Sequence, residues 1–187
     1  MKFLESRRPV KMALLLCFSL TAISQSNSQG SSQNPDKQLD VTEALFKCLT
    51  EMTRSSTGAF FVDNVLGDVD ATVAIANSES GGVYPAGSLI SLIPTEVMIK
   101  HEAGWNAATN DWEFFELKVS KAGSEIAVRG TTEVVNRFGG NCFGCHMQAR
   151  PEWDLICGSD HGCAPLPIDR ETIANIQNSD PRCLRED

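Results

Sequence analysis

Apolar residues recur at helical spacing near the start of the chain. Val41, Ala44, Leu45, Cys48, Leu49 and Met52 fall at i, i+3, i+4, i+7, i+8 and i+11, one continuous stripe. That spacing predicts a helix over residues 40–54, with Asp40 placed to cap it and Glu43 completing a capping box. After Ser55-Ser56-Thr57-Gly58 the period shortens, and short β-type runs alternate with turn residues. Strands are predicted over 59–62, 71–76, 88–93, 96–101, 112–119 and 124–129, with turns at 77–82, 84–87, 106–111 and 121–123. No helical pattern separates them, so they predict an antiparallel sheet. The expected fold class is α+β, an antiparallel β-sheet with flanking helices. Beyond Cys163 the chain becomes a proline-punctuated tail with one short helix over 170–177.

The first residues follow a different pattern. Lys2, Arg7, Arg8 and Lys11 precede an apolar run from Met12 to Ile23, and Ala22-Ile23-Ser24 fits a small-x-small cleavage site. Residues 1–24 therefore read as a secretory signal peptide, since the apolar run is too short to span a bilayer. Residues 25–39 are rich in Ser, Gln and Asn without an apolar pattern, the texture of a disordered linker. Residues 40–187 are left for one domain, as the length of 187 residues allows.

Charge narrows the partners. The whole chain carries a net −8, and removing the signal, with its net +3, leaves −11. Such a chain is repelled by nucleic acid and by anionic membrane surfaces, while a basic redox protein remains a permitted partner. Seven cysteines, of which Cys17 lies in the signal, leave six that should be engaged in an exported protein.

Two of those six carry a specific chemistry. Gly139-Gly140-Asn141 leads into Cys142-Phe143-Gly144-Cys145-His146. Two thiols three positions apart can reach both vinyl groups on one edge of a porphyrin, and the next residue places an imidazole beneath the iron. The motif predicts covalently attached haem c, bound through Cys142 and Cys145, with His146 as the iron ligand. It lies near the C-terminal end of the domain. Attachment takes place outside the cytoplasm, where a signal peptide delivers a chain, so the expected location is periplasmic or otherwise exported. Cys48, Cys157, Cys163 and Cys183 then suffice for two disulfides in any of three connectivities. Cys157 and Cys163 enclose five residues, and pairing them leaves Cys48 for Cys183. Two rival readings exist: a thiol redox pair, which expects a βαβ setting, and a metal site from Cys142, Cys145, Cys157 and Cys163 with His146 or His161.

The stretch from Tyr84 to Trp153 resembles the cytochrome P-460 family, which includes the cytochromes c′-β. The resemblance rests on Tyr84-Pro85-Ala86-Gly87 before an apolar strand and on Val97-Met98-Ile99-Lys100 followed by a Gly-Trp loop. It continues through Trp112-Glu113-Phe114-Phe115-Glu116 and Asn141 to His146, with Trp153 a few residues later. It implies a small antiparallel β domain with flanking helices, usually a homodimer, holding one haem with an open distal face. Some members oxidise hydroxylamine and carry a lysine cross-link to the porphyrin; others bind nitric oxide or similar small nitrogen ligands behind an apolar cap. Leu92 stands at or near the lysine position, and residues 88–94 contain no lysine. The nearest, Lys100, reads as a solvated side chain of the next strand. The resemblance thus leans toward a gas-binding haem protein, with a hydroxylamine-oxidising enzyme or a six-coordinate electron-transfer cytochrome as alternatives.

An oxidase would need a base beside the bound substrate, most simply a carboxylate. Glu96 and Glu102 are the catalytic candidates, with Glu113 and Glu116 in the same half; solvated strand positions are the ordinary reading of all four. Phe60, Phe61, Phe114 and Phe115 could cap the iron, and strand alternation allows at most one of each adjacent pair to face it. For a sixth ligand the candidates are His101 and Met98, with Met52 behind them. Met147 follows His146 directly and lies on its side, and His161 reads as surface.

Overall fold

The computed structural model describes residues 33–183. The predicted signal peptide and residues 25–32 of the predicted linker lie outside them. Six strands form one sheet: β1 (Thr53–Arg54), β2 (Phe61–Asn64), β3 (Ser88–Ile93), β4 (Glu96–Lys100), β5 (Trp112–Ser120) and β6 (Gly123–Gly130). They lie in chain order, each antiparallel to the next. Helices α1 (Val69–Ala76), α2 (Cys142–His146) and α3 (Arg170–Asn178) accompany the sheet, so the fold is α+β as expected. Strand β3 has the predicted limits, and β4 to β6 agree within a residue or two.

Alternation along the strands gives the sheet two apolar faces. Val62, Ile90, Met98 and Phe114 stand directly opposite one another across β2 to β5 and form the spine of the first. Leu89, Val97, Ile99, Phe115 and Leu117 form the second, which Val41 and Phe46 cover. A face covered on both sides explains why β3 and β4 read as nearly continuous apolar runs.

Two predicted elements take another form. Residues 40–54 are not a helix: two 3-10 turns, Glu43–Leu45 and Leu49–Glu51, are followed by β1. Tertiary bonds to β6 outweigh the helical stripe here. Glu43, predicted to serve a capping box, instead accepts through Oε1 from the backbone N–H of Ile126 at 3.0 Å. The Ser124 hydroxyl donates to the Phe46 carbonyl at 2.7 Å. The segment thus covers the edge of β6, a position that a regular helix, with its carbonyls turned inward, would not satisfy. Residues 71–76, predicted as a strand, belong to α1, where Asp68 caps the start through Ala71 N–H at 3.4 Å. In α1 only Thr72 is fully buried, bonded to Asn64 and Ser88, while Val73 and Ile75 pack half-buried against the first core.

The end of the predicted linker is tied to the domain. Asn34 N–H donates to the Trp105 carbonyl at 2.7 Å, and Leu39 N–H to His101 Nδ1 at 2.8 Å. Both disulfides form as paired from the sequence, Cys48–Cys183 and Cys157–Cys163. Helix α3 is anchored by buried Gln177, whose amide donates to the carbonyls of Ala59 at 3.0 Å and Leu92 at 2.7 Å.

Candidate haem site

The motif Cys142 to His146 forms a helix of only five residues, too short to hold itself together. Its neighbour Asn141 supplies what the sequence of the helix lacks. Asn141 Oδ1 accepts from Gly144 N–H at 2.8 Å, capping the first turn. Its amide donates to the carbonyls of Thr132 at 2.7 Å and Val134 at 3.3 Å, and Cys142 N–H donates to Val134 at 3.0 Å. The helix therefore starts from a fixed point beside the sheet.

From there α2 presents Cys142, Cys145 and His146 to a cavity of about 620 Å³. Phe60, Ile90, Met98 and Phe114 line it from the first face of the sheet, and Ile173 and Gln177 from α3. Cys142 and Cys145 are free thiols while the other four described cysteines are disulfide-bonded. His146 Nδ1 lies 2.7 Å from the Leu155 carbonyl. An acceptor there requires the proton on Nδ1 and leaves the Nε2 lone pair for a metal. Burial holds the His146 pKa below its usual value against that hydrogen bond, which keeps the ring neutral. Phe114 packs on the imidazole with ring centres 5.3 Å apart. Two free thiols, one neutral imidazole with a free Nε2, and an apolar cavity of drug-sized volume fit a covalently held haem.

The same geometry weighs against both rivals. The Cys142 thiol is pushed up to about 12, first by burial and then by the charges of Glu96, Cys145 and Glu116. A thiol redox nucleophile requires a shift in the opposite direction. The four-cysteine metal site is not assembled, since Cys157 is bonded to Cys163. Among the described residues, only Cys48, Asp180 and Cys183 cluster closely enough to hold an ion, and those two cysteines form a disulfide.

The candidates around the cavity separate cleanly. Glu96 lines it. Burial raises its carboxyl, partly offset by the Arg137 backbone N–H at 3.1 Å and by the Arg137 charge. Glu102 does not line it; it is exposed and pairs with Lys37 at 3.2 Å. Glu113 is buried on the second face, and so is not the solvated residue expected. Burial raises its carboxyl, yet bonds from His101 and Arg129 outweigh this and hold it below the usual value. Glu116 stands opposite Glu96 on β5.

His101 is not available to an iron. It is fully buried, takes the Leu39 N–H on Nδ1 and donates from Nε2 to Glu113 at 2.8 Å. Met52 packs in the second core, whereas Met98 lines the cavity. Of the phenylalanines, Phe60 and Phe114 join the first core and Phe115 the second, while Phe61 lies under Arg54. His161 is half-buried and stacked on Trp153, with centroids 3.6 Å apart.

Lys100 overturns its expected role. It is buried, forms an ion pair with buried Asp154, and sits over the Trp112 ring at 5.3 Å. Among the described residues no lysine lines the cavity, and Leu92 does. Asp154 itself escaped the sequence reading, because its partners come from positions 84, 100, 110 and 112 and leave no local pattern.

Compared with known protein families, with curated proteins and with solved structures, the chain matches none.

Proposed function

We propose that the chain is an exported c-type haem protein of the cytochrome P-460 kind, which binds nitric oxide or a related small nitrogen ligand. Cys142 and Cys145 would hold haem c by thioether bonds, with His146 as the axial ligand. The observation that carries the reading is the meeting of two free thiols and a neutral, Nδ1-engaged histidine on one largely apolar cavity. Bound there, the iron would supply an open coordination position. Phe60, Ile90, Leu92 and Phe114 would exclude water around it, favouring a small uncharged ligand over a charged one. Engagement of His101 elsewhere supports an open position over a six-coordinate electron carrier, leaving Met98 as the one sixth-ligand candidate that lines the cavity. The disulfides support an oxidising location, and among the described residues no helix is long and apolar enough to cross a membrane.

The second reading is hydroxylamine oxidation, favoured by one observation: Glu96 brings a carboxyl of raised pKa to the cavity wall, where it can accept a proton. Against it stands the absence of lysine from that wall.

Expression with a cytochrome c maturation system tests both. The expected product has a Soret band, a haem peptide linked only at Cys142 and Cys145, and a ferrous high-spin spectrum that changes with nitric oxide. Absence of the Soret band overturns the haem reading. A third link at Lys100 or turnover of hydroxylamine overturns the choice between the two chemistries.

A further inference from the structure

The carbonyl that holds His146 belongs to an unusual turn. Asp154 and Leu155 have φ of 48° and 65°, two consecutive non-glycine residues in the left-handed region, one of them bulky. Such residues are strained and persist only where their surroundings over-determine them. Here they do. The Asp154 carboxylate receives Lys100 Nζ, Tyr84 N–H at 2.9 Å and Asn110 Nδ2 at 3.2 Å. Its carbonyl receives the Trp112 indole N–H at 2.9 Å. Two residues further back, Gly82 N–H donates to the Glu152 carbonyl at 2.8 Å, and a Cβ on Gly81 would collide with that same carbonyl. Three separate stretches of chain therefore converge on Asp154, and the next carbonyl along is the one 2.7 Å from His146 Nδ1. A buried lysine–carboxylate pair is weak evidence for stability alone, since apolar residues of equal volume do as well. Fixing a direction is what this pair does that apolar residues would not.

We propose that Asp154, with Lys100 as its counter-ion, is the positioning residue for His146, holding the Leu155 carbonyl where it selects the ring's tautomer and strengthens it as an iron ligand. The iron part rests on the haem reading; the tautomer part does not. Groups that orient a ligating histidine change its affinity for metal by about 10- to 100-fold when lost.

Asp154→Asn removes the charge that draws in Lys100, and Trp112→Phe removes only the indole donor to the Asp154 carbonyl. Nitrogen-15 spectra of the full chain without haem should show His146 protonated at Nδ1, with that preference lost in Asp154→Asn and reduced in Trp112→Phe. In the haem-loaded protein, a weaker acceptor at Nδ1 makes the imidazole a poorer donor to ferric iron. The reduction potential should then rise by the equivalent of about tenfold, roughly 59 mV for one electron. The ferrous iron–histidine stretching band should move to lower frequency. If both variants keep the wild-type tautomer, the proposal is overturned. If the tautomer changes while potential and stretching band do not, its iron part is overturned. Should the wild type take up no haem, the haem reading fails and the nitrogen spectra still decide the tautomer. Should Asp154→Asn not fold, Trp112→Phe decides alone.

Discussion

Glu96 is placed where its charge is unwelcome. It stands on the cavity wall opposite Glu116, with Cys142 near enough to feel both carboxyls. Its folded pKa is raised above the usual 4.5, chiefly by burial, so the native state prefers the protonated form. The sign follows directly. Below about 4.5 the group is protonated in both states and costs nothing; as pH rises through the folded pKa, the ionised form draws stability away from the native state. Glu96→Gln, which keeps an acceptor for Arg137, should therefore be more stable than wild type at neutral pH, with the gain vanishing near pH 4. Urea midpoints at pH 4 and 7 check it; an equal gain at both would remove the buried-charge account. Single residues were also where the sequence was least legible. The motif Cys142 to His146 stands out because its residues are adjacent in the chain, and the structure brings Cys142, Cys145 and His146 to one cavity. Lys100 and His101 do not stand out, for their partners Asp154 and Glu113 lie on other elements. Strand alternation did place His101 on the face with Val97 and Ile99, but alternation cannot say that the far face was already full.

Elements read well where tertiary context agreed with local preference. Strands β3 to β5 carry apolar patterns that both cores use, Ile126 of β6 packs on the second, and their turns contain the residues that turns require. Residues 40–54 and α1 misled because their apolar periodicity is real but is overruled, by the edge of β6 in one case and by the Asp68 cap in the other. Helix α2 is the extreme case, since five residues form a helix only when something outside them insists. Asn141→Ala should cost about 1–2 kcal/mol, the range for losing a strong N-cap, with the two amide bonds to Thr132 and Val134 lost as well. The fraction of chain carrying haem should fall alongside, because the thiols and His146 no longer share one rigid turn. Denaturant unfolding gives the first and the ratio of Soret to protein absorbance the second. A normal haem ratio with lowered stability would show that α2 can form late, on the haem itself.

Across the whole molecule the two disulfides are unequal. Cys48–Cys183 closes a loop of sequence separation 135, and Cys157–Cys163 one of 6. On the chain-entropy account the long loop is worth about 5 kcal/mol and the short one about 2. Replacing Cys48 and Cys183 with serine should thus lower unfolding free energy by about 3 kcal/mol more than replacing Cys157 and Cys163. Equal losses would locate the stabilisation in native contacts instead.

The long disulfide also has a timetable. At about 5–20 residues per second, a separation of 135 places the synthesis of Cys48 and Cys183 roughly 7–27 s apart. Throughout that interval the earlier sulfur waits while Cys142, Cys145, Cys157 and Cys163 appear one after another, each a possible wrong partner. By the time its native partner arrives, every strand of the sheet and every wall of the cavity has already been made. The ring can therefore close only after the rest of the domain has been made, and a premature bond from Cys48 to Cys142 or Cys145 would consume a thiol that the proposed haem attachment needs.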